Sequence, residues 1–495
     1  MRLPITSLRF AIALAALVGA ANAAGAQQST LSLEDAVALA RRHNPAHQQT
    51  VNNRVDANAR VRSAYGALLP NVSSSFSGQW QQGGNQVFGG TQLGASSDVV
   101  QTSYDVGLNY QINLGTVLNP RLQKLGRDAV EADITGSEEL LRGRVTQQYL
   151  TVLQAQARAT LQDTLVASAQ AQVQLAQARQ QVGAGTQLDV RRAEVTLGQA
   201  QVQQLQARNT TEVEKLRLFQ LMGVDIARAD GVQLTTQFAA QPVPLTEQQV
   251  MDLARRQNPT VSALRSRERV SDMTVKAARG QYTPTLSLST GIGGFSYQYT
   301  NDDFVVQQAA GRALAGAVQC VTFDSLRVGA GLSPIGGCGT GLLSPAEIAA
   351  ARAGNAYGLA PAPRAFRATV SLPIFDGFTR EQRIQESQAA RADARYAVRA
   401  QELALEADVS AAFRTLTTAQ QTVALQERNS VAAREALSLA EERYRVGATT
   451  FVEVAQSRAD FERAETDRIN AVYDYHKAFA ALETAVGRPL RDAQR

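Results

Sequence analysis

After residue 26 the chain has no apolar run approaching the ~18 residues that a membrane-spanning helix needs, so any membrane part has to be made of strands. Aromatic residues make up only 6% of the 495. That is too little bulk for one globular core of this length. No Gly-x-Ser-x-Gly elbow and no Gly-x4-Gly-Lys phosphate loop occurs, so the two commonest catalytic loops are missing. The histidines are His43, His47 and His476. The first two are four apart, but Pro45 lies between them at a helix start, a poor metal pair. Basic residues do not cluster, which gives no case for a nucleic-acid partner. No catalytic residue, metal or cofactor is expected.

Cysteine is nearly absent too. Cys320 and Cys338 are the only two, and both fall in a Gly-rich stretch. In an exported chain such a pair reads as a disulfide; a metal pair would need further ligands, and none lies nearby. Export is indicated by residues 1–26. Arg2 and Arg9 precede an apolar run of about eleven residues, Phe10 to Ala20, followed by Ala21-Asn22-Ala23 and Ala24-Gly25-Ala26. That is a secretory signal peptide, too short to span a bilayer. No Cys follows the cleavage region, so no N-terminal lipid anchor is expected. Losing the two arginines lowers the formal charge from +5 to +3.

What the chain does have is a duplication. Leu31-Ser32-Leu33 through Asn44-Pro45 returns as Leu245-Thr246-Glu247 through Asn258-Pro259, at an offset of 214. Gly66 and Pro70 return as Gly280 and Pro284 at the same offset. Ile112 matches Ile374 at 262, and Val182-Gly183 and Gly223 match Val446-Gly447 and Gly487 at 264. The 48-residue jump locates an insertion that only the second half owns. The expected organisation is a first repeat over 27–230, a linker over 231–246, a second repeat over 247–487 and a tail over 488–495. Asn44-Pro45 and Asn258-Pro259 read as N-cap plus first-turn proline.

Tyr104, Val106, Leu108, Tyr110, Ile112 and Leu114 alternate with Asp105, Gly107, Asn109, Gln111 and Asn113. Period two predicts a strand near 102–114 with one apolar and one polar face. Similar patterns predict strands near 68–80 and 366–374, and a less regular, Gly-interrupted one near 285–297. An extracellular loop is expected over 298–365. Strands of about 9 to 11 residues with an apolar outside are what a transmembrane barrel requires. Four strands cannot close one, and open edges cannot exist in lipid, so the barrel must be shared between chains.

Asn119-Pro120 is expected to end the strand region and start a helix. From Arg121 to Gln181, and from Phe378 to Arg445, little breaks helix; sixty residues span about 90 Å. Leu161, Leu165, Ala169, Val173 and Ala176 form a narrow coiled-coil seam, as do Val409, Phe413, Leu416, Gln420 and Val423. Val182-Gly183-Ala184-Gly185-Thr186 and Val446-Gly447-Ala448-Thr449-Thr450 interrupt these helices at matching points. Gly after a helix and Thr before an acid are stop and restart signals, so each is a hairpin tip, near 183–187 and 447–451.

Twin helix–strand–strand–helix halves, paired Gly–Pro strand starts and two Val-Gly-x-x-Thr tips resemble the TolC-type outer-membrane efflux protein family, from about Leu31 to Leu490. The resemblance implies a mixed α and transmembrane-β fold: four barrel strands plus long periplasmic hairpins per protomer, with three protomers sharing a 12-stranded barrel above a helical tunnel. It implies a homotrimer in outer-membrane lipid. It also implies a periplasmic adaptor and an inner-membrane transporter of the RND, ABC or MFS type. Gly183, Thr186, Gly447 and Thr450 match adaptor-docking turns. Asp189 and Tyr444 match residues that hold neighbouring coils together when the tunnel is shut, and Glu453 an acid lining the constriction. Gln456 stands where a second acid often occurs, and Thr449 replaces a basic latch residue. Three copies of Glu453 around one axis would concentrate cations; the alternative is a solvated helix-face glutamate.

Two functions follow: the outer-membrane channel of a tripartite efflux pump or type I secretion system, or a stand-alone diffusion porin. The long helices argue against the second. A soluble coiled-coil scaffold is a third reading that leaves the strands unexplained.

Overall fold

A computed structural model describes residues 30–88, 91–95, 97–225, 231–236 and 245–490. The expected signal peptide, the end of the tail and half of the linker lie outside the described residues. In chain order the elements are β1 (Thr30–Leu31), α1 (Leu33–His43), α2 (Pro45–Gly66), β2 (Asn71–Gln81), β3 (Asn85–Phe88), β4 (Thr91–Ala95), β5 (Val99–Ile112), α3 (Leu114–Gln181) and α4 (Gln187–Met222). There follow β6 (Gln233–Leu234), α5 (Glu247–Gln257), α6 (Pro259–Arg279), β7 (Thr285–Tyr299), α7 (Asp302–Gly329), α8 (Pro345–Gly354), β8 (Ala360–Pro361), β9 (Ala365–Ser371), α9 (Thr379–Arg445) and α10 (Phe451–Val486). No helix among the described residues is long and apolar enough to cross a membrane.

The chain divides into two compact units, and they cut across the sequence repeats. One takes Met1–Val61, Arg121–Val275 and Gln385–Arg495; the other takes Arg62–Pro120 and Lys276–Ile384.

The first unit is helical, and each repeat builds its own core from equivalent positions. Ala36, Ala40, Val145, Val152, Leu218 and Met222 are buried in one cluster. Val250, Ala254, Val409, Leu416, Leu482 and Val486, their counterparts at offsets of 214 and 264, are buried in the other. Asn44 and Asn258 separate the short helices as capping residues. Each side-chain oxygen accepts from a backbone N–H three residues on, at 2.9 and 3.1 Å, and each amide donates to a carbonyl of α4 or α10. This satisfies donors that a helix start otherwise leaves orphaned. The seam Leu161, Leu165, Ala169, Val173 and Ala176 is buried throughout. In the partner seam Gln420 is exposed and Ala419 packs instead, as an amide would leave hydrogen bonds unmet. The linker region carries β6, which pairs in parallel with β1.

The second unit holds an antiparallel sheet in the order β2–β5–β7–β9, with β8 also on β7. Registers run unbroken: Ser75 faces Asp105, Asp105 faces Gly293, and Ser289 faces Arg367. Among the described residues the outer edges of β2 and β9 have no partner strand. The apolar face is bare: Phe76 is 70% exposed, Trp80 59%, Phe366 71% and Val370 69%. Alone in water, such a face would cost on the order of 25 cal/mol per Å² of apolar surface left uncovered.

Two expectations differ from the structure, the character of 298–365 and the start of the first long helix, while the expected Cys320–Cys338 disulfide is present. The region 298–365 is largely helical, with α7 and α8 inside it; Asn301 and Ser344 cap them, accepting from Asp303 N and Glu347 N. Cys320 and Cys338 form a disulfide across 5.5 Å between Cα atoms. The long helix starts at Leu114 and runs through Pro120. Its cap is Asn113, whose side-chain oxygen accepts from Thr116 N at 2.9 Å, six residues ahead of the Asn-Pro pair. Strand β7 is the longest of the described strands, at 15 residues. The 82–98 stretch also contains a β3–β4 hairpin.

Candidate functional site

The two tips meet within the helical unit. α3 ends at Gln181, and the chain turns through Gly183 at φ +74. Gly183 N donates to Gln180 O at 3.1 Å and Ala184 N to Arg179 O at 2.8 Å. α9 ends the same way: Gly447 sits at φ +80, its N–H donates to Tyr444 O at 3.1 Å, and Ala448 N donates to Arg443 O at 2.8 Å. Both are Schellman turns, which satisfy carbonyls that a helix end leaves open and require left-handed backbone.

The restarts differ. Thr186 opens α4 with a full capping box: its Oγ1 accepts from Asp189 N at 3.2 Å, and Asp189 Oδ2 accepts from Thr186 N at 3.1 Å. Thr450 opens α10 with no side-chain capping bond. Glu453, the counterpart of Asp189 at the 264 offset, accepts instead from Thr449 Oγ1 and lies 3.7 Å from Arg443. Its side chain is 51% exposed. Asp189 is thus committed to its own turn, while Glu453 points into water with a weakly held partner.

Tyr444 is buried and packs edge-on against Phe451 at 6.1 Å. Around them Val173, Ala176, Val190, Ala193, Ala440 and Val454 complete an apolar cluster that joins both hairpins. Burial, reinforced by the Asp189 charge and opposed by Arg179, raises the Tyr444 pKa, so the phenol stays neutral at physiological pH. No hydrogen bond joins it to Asp189 among the described residues.

The residue that ties the tips together is one the sequence did not flag. Arg179 lies with its guanidinium 4.5 Å above the Tyr444 ring, donates to Tyr444 O and donates to Ala184 O at 3.1 Å. Its counterpart Arg443 stays with its own hairpin at Glu453. The signal available was a basic residue in the last helical turn, where it complements the C-terminal dipole.

Further along the hairpins, Arg458 is buried and donates to Leu165 O; burial pulls its pKa down. Glu465 accepts from Arg468 at 2.7 Å and from Ser430, and Arg468 chiefly holds its pKa below the usual carboxylate range. Of these contacts, Arg458 to Leu165 and Ser430 to Glu465 cross between helices and help fix how the coils pair.

The sequence model of a family described as outer membrane efflux protein matches residues 36–224 and 361–488. The fusaric acid resistance protein FusA of Burkholderia cepacia is 25% identical over 279 residues, 56% of this chain and 52% of that protein. The alkaline protease secretion protein AprF of Pseudomonas aeruginosa is 30% identical over 158 residues, 32% of this chain and 33% of that protein. The chain thus spans about half the length of the first relative and a third of the second. The solved outer membrane channel CmeC of Campylobacter jejuni superposes with a TM-score of 0.70 at 17% identity, covering 92% of this chain and 85% of that one.

Proposed function

The chain belongs to the outer membrane efflux protein family, and on that premise we propose that it is the outer-membrane channel of a tripartite efflux pump or type I secretion system. Three copies join their four-stranded sheets edge to edge into a 12-stranded barrel. Cargo passes through it passively, delivered by an inner-membrane transporter of the RND, ABC or MFS type through a periplasmic adaptor. The chain performs no chemistry; it lowers the barrier to crossing lipid and gates by conformational change.

The observation that carries this reading is the sheet. It has a bare apolar face, a polar opposite face and, among the described residues, two unpaired edges, in a chain that also has helices of 68 and 67 residues. Lipid satisfies the first feature, an aqueous lumen the second, and neighbouring copies the third. Gly183, Thr186, Gly447 and Thr450 form the adaptor-docking turns, and Asp189, Tyr444 and Glu453 the constriction. Glu453 is the more exposed carboxylate, held among the described residues only by Thr449 and a 3.7 Å contact to Arg443, whereas both ends of Asp189 are tied to its own turn by the capping box.

Glu453→Gln is the test of that role. In planar bilayers the wild-type channel should prefer cations, and the variant should lose at least about half of that preference, since three carboxylates vanish from one ring. Unchanged reversal potentials would remove Glu453 from the pathway.

A further inference from the structure

The polar face of the sheet carries a feature that an inert lumen does not need. Across the four paired strands β2, β5, β7 and β9 only two charged residues occur, Asp105 and Arg367. Both lie on the polar face, and registers place them at different levels: Asp105 opposite Ser75 and Gly293, Arg367 opposite Ser289. No ion pair among the described residues reaches Asp105.

The neighbours of Asp105 are mostly bare backbone. A Cβ built on Gly107 would come 3.2 Å from Asp105 Oδ1. One on Gly291 would come 3.0 Å from Val106 O and 3.4 Å from Asp105 Oδ2. One on Gly293 would come 2.7 Å from Tyr104 O and 3.4 Å from the same carboxylate oxygen. Any side chain at 291 or 293 would crowd both the β5 backbone and the acid. Phe295, one step along the same face from Gly293, is exposed beside them. Ala362, whose N–H donates to Gly293 O at 2.8 Å, and Pro363 close the far side. The result is a cavity of about 330 Å³ with a glycine floor, an aromatic wall and one carboxylate. That volume is at the small end of ligand pockets, about 300–1,000 Å³.

We propose that this niche is a binding subsite for small organic cations carrying an aromatic ring, one per protomer on the barrel lumen. The carboxylate takes the positive charge. The Phe295 face takes the cation or ring, and the glycine floor lets a flat group lie against the strands. The lumen location rests on the channel reading above; the niche itself does not. Cargo of this class would be held briefly near the exit, whereas an anion finds no positive charge among the residues lining the niche.

Calorimetric titration of the full-length, detergent-solubilised protein with benzyltrimethylammonium tests it, with tetramethylammonium and benzenesulfonate as probes lacking the ring or the positive charge. Asp105→Asn, which keeps shape and removes charge, should weaken benzyltrimethylammonium binding at least about fivefold. Phe295→Ala should weaken it about threefold and leave tetramethylammonium less affected, and benzenesulfonate should not bind. Equal affinity in wild type and Asp105→Asn, or affinity lost only in Glu453→Gln, would overturn the subsite. Conductance of the same preparation in bilayers is read separately. Asp105-dependent binding without conductance would refute the channel and keep the niche, while conductance with binding indifferent to Asp105 would do the reverse.

Discussion

Replacing Gly183 and Gly447 together by valine is expected to reduce export to below about a tenth of wild type while leaving the amount of assembled protein in the outer membrane unchanged. Both glycines sit at positive φ, where an L residue costs about 1 kcal/mol or more and a β-branched one is worst. Each lies in a six-residue Schellman turn whose two hydrogen bonds set the tip's shape. Nothing crowds a Cβ at Gly183, and only Arg179 Nη2, at 3.7 Å, approaches one at Gly447. The harm is therefore backbone strain confined to the turn. The cores around Val145 and Val409 are remote in sequence and keep their packing. Accumulation of a fluorescent efflux substrate in cells that depend on this channel gives the export readout, and immunoblotting of outer-membrane fractions gives assembly. Export at wild-type levels would mean that the tips are not the docking surface.

Replacing Arg179 by alanine is expected to raise the resting conductance of the reconstituted channel at least about tenfold. Its guanidinium makes two bonds to carbonyl oxygens and lies over an aromatic ring, and it links one hairpin to the other. Hydrogen bonds from a charged group contribute about 1.5–3 kcal/mol and the ring contact about 0.5–1 kcal/mol. Even about 2 kcal/mol shifts a closed-to-open ratio some 30-fold. Arg179→Lys keeps the charge but not the planar fork, so its effect should fall between the two. A resting conductance equal to wild type in Arg179→Ala would show that the tips are held by the apolar cluster around Tyr444 alone. On this account Thr449, at the position of a basic residue in the resemblance, leaves no gap in the latch: the cation comes from the other hairpin.

Much of this was readable in the sequence because duplication states the organisation twice. Offsets of 214 and 264 aligned Ala36 with Val250 and Val145 with Val409, and both pairs are core. The 3.5-residue spacing of Leu161 to Ala176 located a buried seam, and period-two alternation located β2, β5 and β9. Where the reading missed, the cause is physical. The glycines that blurred β7 are there because the β5 backbone and Asp105 leave no room for a Cβ. Helix α7 escaped notice because its apolar residues, among them Leu314, Val318, Phe323 and Leu326, wrap around it instead of forming one stripe. Pro120 read as a helix start because Asn precedes it, yet Asn113 supplies the cap. Arg179 was invisible because the partner that gives it its role, Tyr444, lies on the other hairpin, 265 residues away.

The export-duct account is tested most directly by photo-crosslinking in living cells. A photoreactive residue placed at Gln187 or Thr449, beside the two tips, would be irradiated, and captured proteins identified by mass spectrometry. Capture of a periplasmic adaptor at both positions, and not at a control site on the exposed face of α2, is the predicted result. A protein firmly in the outer membrane that captures no adaptor at either tip would contradict the account and point to a stand-alone porin.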